Sequence, residues 1–253
     1  MNGLRASNFQ RIYVALRLDW ILTIVLPLVF LALAFVLDRQ LRRAGLTAQD
    51  VTMEEANRVS GFLTGLPYAY LVAAFCASGL CALLVVSGLG EAEACSPWFH
   101  SARWWFIGCM LMNAVAMAVR IVHIALSTSG ATGPLLAIYP AVQALTIALQ
   151  GGGTRALMKG LGDVLESIGD HEASARVRGL APWVAAACLT FIAAYIAFMT
   201  DLFPGDGLPG LAITMLILFV LALGFWLVVR FKALRCAGTV WRTLAAISDE
   251  VIT

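Results

Sequence analysis

The sequence predicts an all-α membrane protein, a single domain over residues 1–253 that forms a bundle of six transmembrane helices. Composition is the first observation: 61% of the residues are hydrophobic and 13% are charged, about half the charged share of a soluble domain. The second is the presence of six apolar runs near the roughly 20 residues that a membrane span needs. The third is that Lys and Arg concentrate in alternate connections between these runs, as in multi-pass proteins.

The first three predicted spans are residues 20–37, 61–90 and 104–126. The first is uncharged throughout and ends at Asp38. The second is longer than a bilayer requires, so we expect it to tilt or to continue as a helix beyond the bilayer. The third contains a charged residue, Arg120, within its apolar run.

The last three predicted spans are residues 133–150, 180–202 and 208–229. The fourth follows the third after the turn STSGATG, and the sixth follows the fifth after FPGDG. Connections this short favour antiparallel neighbours. Pro140 removes one helix hydrogen bond and is expected to bend the fourth span. The glycine run 151–153 is interpreted as a flexible exit from that span.

Three polar stretches outside the spans carry apolar residues at helical spacing, which predicts amphipathic interfacial helices at the N-terminus, between spans four and five, and at the C-terminus. The second stretch is expected to run from about residue 154 to 168. Such helices lie on the membrane or on each other, and alternatively dock a cytoplasmic partner. The apolar positions are Leu4, Phe9, Ile12, Tyr13 and Leu16; Leu157, Leu161, Val164, Leu165 and Ile168; and Leu234, Val240, Trp241, Leu244, Ile247 and Val251.

The charge distribution predicts the orientation. With the N-terminus inside, twelve Lys and Arg residues fall in inner segments and four fall in outer ones. Both termini are therefore predicted to be cytoplasmic, in a multi-pass protein of a cytoplasmic (inner) membrane. The contrary signal is the cluster Arg39, Arg42 and Arg43 in the first outer connection.

Arg120 is the first candidate site residue, because an arginine inside a membrane span costs a few kcal/mol unless it has a partner or a function. His123 lies one turn further on the same face, and Asp201 ends span five at a similar depth. Two interpretations remain open. In the first, Arg120 is structural: it extends outward to the membrane surface, or it pairs with Asp201 or with carbonyl groups and joins spans three and five. In the second, it binds an anionic group or forms a proton-coupled pair with His123.

Asn113, Tyr139 and Gln143 are the other candidate binding residues, in the middle of spans three and four. Polar side chains at this depth line ligand pathways, and they also join helices in lipid without any transport function. Both interpretations are kept.

No motif identifies an enzyme, a cofactor or a metal. Glu91, Glu93, Cys95 and His100 lie close in sequence but match no zinc spacing. The six cysteines lie mostly in apolar runs, contain no C-x-x-C pair and are interpreted as small buried hydrophobic residues. The absence of a catalytic constellation favours a non-enzymatic function.

The pattern favours a transporter or channel, or a subunit of one, with a polar pathway through the bundle. The alternative is a non-catalytic membrane subunit or scaffold of a larger complex, and a membrane-embedded enzyme is the third option. The expected partners are the lipid bilayer, proteins at the cytoplasmic face and further copies in a homo-oligomer. A net charge of +2 is too small to indicate nucleic acid.

Overall fold

The computed structural model describes the backbone of residues 6–43, 53–127, 133–199 and 209–250. These residues form six α-helices and no strand. The helices are α1 (Ala6–Arg43), α2 (Met53–Ala92), α3 (Pro97–Ser127), α4 (Gly133–Ser167), α5 (His171–Met199) and α6 (Pro209–Glu250), with a 3₁₀ turn at Glu93–Cys95.

Within the part of the chain whose side chains the structure describes, five stretches are long and apolar enough to cross a membrane. These stretches are Ala6–Val36, Val72–Cys95, Pro97–Val122, His171–Ala197 and Thr214–Ile247. Large apolar side chains such as Leu111, Leu189 and Leu221 are more than 60% exposed on them, as expected where lipid replaces water. The chain is therefore an all-α, multi-pass membrane protein.

The helices form a closed ring. Each helix packs against its neighbours in sequence, α1 closes on α6, and α4 also reaches α6. Because consecutive helices run antiparallel, the start of α1, the 3₁₀ turn, the α4–α5 turn and the end of α6 lie together. We refer to this part of the molecule as the terminal end.

The buried core lies at the terminal end. Every helix contributes to it, and α4 contributes an almost continuous series of buried residues. The largest fully buried side chains are Phe9, Ile12, Leu89, Phe99, Leu157, Met158, Leu161, Val164, Leu165, Val184 and Val240. The ring is therefore tightly packed and closed at this end.

Two short connections at the terminal end are capped by their own side chains. Ser96 Oγ accepts a hydrogen bond from Trp98 N (3.2 Å), and Pro97 occupies the first position of α3, as helix starts favour. Gly169 has a φ of 87°, and Asp170 N donates to Leu165 O (3.0 Å) to close α4. Asp170 Oδ1 then accepts from Ala173 N (3.0 Å) and caps α5.

The glycine run 151–153 differs from its prediction, because it lies inside α4 and is helical. A Cβ on Gly151 would lie 2.5 Å from Cys188 Sγ of α5, and one on Gly152 would lie 2.8 Å from the Trp105 ring of α3. These glycines allow α4 to approach both neighbours closely, so tertiary packing overrides their low helix propensity.

The three stretches predicted as separate interfacial helices are continuous with α1, α4 and α6. Most of their apolar positions face the protein: Phe9, Ile12, Leu161, Leu165 and Val240 are all at most 1% exposed, whereas Ile247 is 41% exposed. Leu4 and Val251 lie outside the described residues. The hydrophobic stripes thus form the core of the terminal end.

Candidate functional site

A cavity of about 290 Å³ lies inside the ring and is lined by residues of all six helices. Many of these residues are polar, although they lie within helices that cross the membrane. The polar lining consists of Asp19, Thr23, Tyr70, Ser78, Asn113, Gln143, Thr146, Gln150 and Arg230. Phe191 and Trp226 supply part of the apolar wall. We refer to this space as the central cavity.

A buried ion pair forms the floor of the central cavity. The Arg230 guanidinium of α6 binds the Asp19 carboxylate of α1, and the two side chains are 11% and 20% exposed. The Trp226 ring centroid is 5.9 Å from Arg230 Cζ. On the other side of this pair begins the packed core of the terminal end, so the ion pair separates the cavity from that core.

A smaller cavity of about 40 Å³ adjoins the ion pair and is lined in part by Ser78, Gln150 and Thr154. This volume is large enough for one or two water molecules, and the polar lining offers them hydrogen-bond partners. The indole Nε1 of Trp20, which also lines this cavity, is buried and has no hydrogen-bond acceptor among the described residues.

The middle of the central cavity holds two amide side chains in loose contacts. Asn113 Nδ2 donates to Ser78 Oγ at 3.4 Å, and Gln143 Nε2 donates to Tyr139 Oη at 3.3 Å. Both distances are longer than is usual for a strong hydrogen bond. Asn113 Nδ2 also donates to Cys109 Sγ at 3.7 Å, whereas the two amide oxygens and the second N–H of Gln143 have no partner among the described residues and could bind a ligand.

A second cavity of about 190 Å³ continues from the first and shares Ala74, Ser78, Asn113 and Gln143 with it. Arg120 and Tyr139 lie at this second cavity, with Arg120 Cζ 5.3 Å from the Tyr139 ring centroid. Arg120 makes no ion pair with any side chain that the structure describes.

The two cavities together extend along α3 from Cys109 to Arg120, eleven residues apart in sequence. At the helical rise this corresponds to about 16 Å. Polar side chains therefore line two adjoining cavities over about that length, from the region of the Asp19–Arg230 pair to Arg120.

Four of the six residues predicted from sequence line these connected cavities: Asn113, Arg120, Tyr139 and Gln143. The side chain of His123, in the last turns of α3, and the whole of Asp201 lie outside the described residues. The pairing of Arg120 with Asp201 therefore stays a prediction, and the described contact of Arg120 is with Tyr139 of α4.

Asp19 and Arg230 are cavity residues that the sequence pattern did not predict. Each flanks a predicted span by one residue, so both were assigned to connections rather than to the bundle interior. The available signal was their opposite charge at the same predicted depth, at the start of the first span and the end of the sixth.

Glu93, in the 3₁₀ turn, is paired with neighbouring basic side chains. Glu93 Oε1 is 3.0 Å from Arg103 Nη1 and 3.5 Å from His100 Nδ1. Within the described parts of the chain, no group of three or more His, Cys, Asp or Glu residues is placed to hold a metal.

The fold and the cavities define a multi-pass helical membrane protein with a polar interior. Comparison with protein-family models, with curated proteins and with solved structures gives no match for this chain.

Proposed function

We propose that the protein is a membrane transporter whose central cavity carries a small hydrophilic solute with a negative charge. The observation that carries this proposal is the polar route inside the ring, from the Asp19–Arg230 pair to Arg120. Polar and ionisable groups inside membrane segments are costly, and where they face a cavity they mark solute and ion pathways.

The charges of the route favour an anionic solute. Arg230 is balanced by Asp19, whereas Arg120 has an aromatic neighbour and no acidic partner among the described side chains. With no acidic partner among the described side chains, the guanidinium of Arg120 would bind a carboxylate or a similar anion through two parallel hydrogen bonds. Asn113 and Gln143, between the two arginines, would orient the uncharged part of the solute.

The packed terminal end supports a gating function for the Asp19–Arg230 pair. Between this pair and the terminal end, the packed core fills the interior of the ring. A solute in the cavity can therefore leave toward the terminal end only if α1 and α6 separate. Such separation would break the ion pair, which makes the pair the gate of an alternating-access cycle. The Lys and Arg distribution supports a cytoplasmic location of the terminal end, in a cytoplasmic membrane.

Cysteine accessibility tests whether the cavity is reached by solutes. In a variant without the six native cysteines, Asn113→Cys should react with a membrane-impermeant anionic methanethiosulfonate and more slowly with a cationic one. Arg120→Gln should abolish this charge preference. Leu111→Cys is the matched control on α3, since Leu111 is 64% exposed on the lipid-facing surface, where thiolate formation is disfavoured.

An Asn113→Cys variant that resists both reagents from either side of the membrane would contradict the proposal. It would favour the alternative, a non-catalytic membrane subunit whose polar residues only join helices.

Uptake of a panel of small organic carboxylates into proteoliposomes then identifies the solute. Arg120→Gln should lower that uptake by about 10- to 100-fold, the usual range for a lost charged hydrogen bond.

A further inference from the structure

We propose that a groove between α1 and α6 at the terminal end binds the phosphate headgroup of an anionic membrane lipid. The groove has a volume of about 440 Å³ and lies on the outer surface of the ring, away from the central cavity. Tyr13, Arg17 and Trp20 line it from α1, and Arg235, Gly238 and Arg242 line it from α6. The proposal does not depend on transport.

Two aromatic pairs hold the groove in shape. Tyr13 stacks on Trp241 with ring centroids 5.4 Å apart, and Trp20 contacts Phe231 at 5.2 Å. Gly238 makes the first pair possible, because a Cβ there would lie 2.8 Å from Tyr13 Cε2. The space between the two pairs is thus a formed part of the α1–α6 contact.

The three arginines of the groove carry uncompensated charge. Arg17, Arg235 and Arg242 are exposed and form no ion pair with the described side chains. Arg242 Nε donates to Gly238 O at 3.2 Å, which leaves its terminal nitrogens free, and Arg235 Cζ lies 4.7 Å from the Phe231 centroid.

Most other arginines of the terminal end are neutralised. Arg11 binds Glu91, Arg103 binds Glu93, and Arg178 binds both Asp163 and Glu166, whereas Arg155 is exposed without an ion pair to a described side chain and stands alone rather than in a cluster. Three arginines without such partners around one groove form a site for a phosphate group, which guanidinium groups bind through paired hydrogen bonds.

The surroundings of the groove favour a lipid over free phosphate. Next to it, Leu18, Val25 and Val228 are 38%, 45% and 54% exposed on the surface that crosses the membrane. A ligand with its phosphate on the arginines can therefore lay its acyl chains along α1 and α6. Aromatic and basic side chains are the residues that meet lipid headgroups at a membrane interface.

Native mass spectrometry of the detergent-solubilised full chain tests this assignment. The wild type should retain phosphatidylglycerol in preference to phosphatidylcholine. The triple variant Arg17→Gln, Arg235→Gln, Arg242→Gln should bind phosphatidylglycerol about 100-fold more weakly, at roughly fivefold per lost charge. The matched control replaces Arg39, Arg155 and Arg176 by Gln, with the same change in net charge at exposed positions outside the groove, and should bind as the wild type does.

A second variant, Ile21→Trp, narrows the groove while it keeps all three charges, and it should also lose the lipid. Equal loss in both triple variants, equal binding of the two lipids, or full retention in Ile21→Trp would each overturn the site.

Competition distinguishes the two sources of phosphate. Dihexanoyl-phosphatidylglycerol should displace bound lipid at concentrations where inorganic phosphate does not, and displacement by inorganic phosphate alone would overturn the lipid assignment.

Discussion

At the scale of single residues, the Asp19–Arg230 pair is the contact that a linear reading of hydropathy misses. Apolar runs are conventionally ended at the first charge, so a charge that flanks a run is assigned to solvent. Here α1 begins at Ala6 and α6 continues to Glu250, and both residues are therefore well inside long helices. Asn113, Arg120, Tyr139 and Gln143 were predictable because they interrupt apolar runs, where a polar residue requires an explanation.

Removal of one member of this pair should strongly destabilise the protein. Arg230→Met strands the Asp19 carboxylate in a largely buried site, with an expected loss of about 3–5 kcal/mol. The double variant with Asp19→Leu should be more stable than the sum of the two single changes predicts. Thermal unfolding in detergent, followed by tryptophan fluorescence, measures this coupling.

The matched control is the exposed pair Arg11–Glu91, whose side chains are 52% and 48% exposed. The corresponding changes Arg11→Met and Glu91→Leu should each stay within about 1 kcal/mol of the wild type. Additive effects at Asp19 and Arg230 would show that the buried pair carries no coupling energy.

At the scale of helices, α4 shows that the positions of the helices can be predicted from the sequence, whereas the continuity of a helix through a glycine run cannot. Hydropathy located the apolar runs that became the long helices, because lipid contact requires continuous apolar surface. Glycine content, in contrast, suggested a break after residue 150, and the helix continues to Ser167. Residue propensity is a local property, whereas the close contacts of Gly151 and Gly152 depend on α5 and α3, which no local pattern reveals.

Gly151→Ala should therefore destabilise the protein even though alanine favours helix by about 1 kcal/mol. The new methyl group would overlap Cys188 Sγ, and overpacking of this kind typically costs about 1–3 kcal/mol. Gly179→Ala in α5 is the matched control, since a Cβ there meets no atom within 4 Å. Melting temperatures should fall for Gly151→Ala and stay level or rise for Gly179→Ala, and a rise in both variants would contradict the packing argument.

At the scale of the whole molecule, the number of membrane crossings depends on whether α4 spans the membrane. It lies between α3 and α5 and has contacts to α6, so much of its surface meets protein rather than lipid. Its polar residues are then tolerated, because the composition of a span matters most where it faces the bilayer. A crossing by α4 gives six spans and places both termini on the same side.

Thiol labelling of intact cells tests this topology. In a background without native cysteines, Ser129→Cys after α3 and Gly205→Cys after α5 should both react with an impermeant reagent added outside. Ser167→Cys, at the end of α4, should react only after the membrane is permeabilised. External labelling of Ser167→Cys, or protection of Ser129→Cys, would exclude six spans with cytoplasmic termini.

The closure of α1 on α6 has a consequence for biosynthesis. Asp19 and Arg230 are 211 residues apart, so at a translation rate of about 5–20 residues per second the partner emerges roughly 10 to 40 s later. During that interval α1 has an unmatched carboxylate, and Tyr13 and Trp20 lack Trp241 and Phe231, their ring partners on α6. The α1–α6 contact therefore cannot form before α6 is synthesised, and a chain that stops before α6 keeps this part of α1 without its partners.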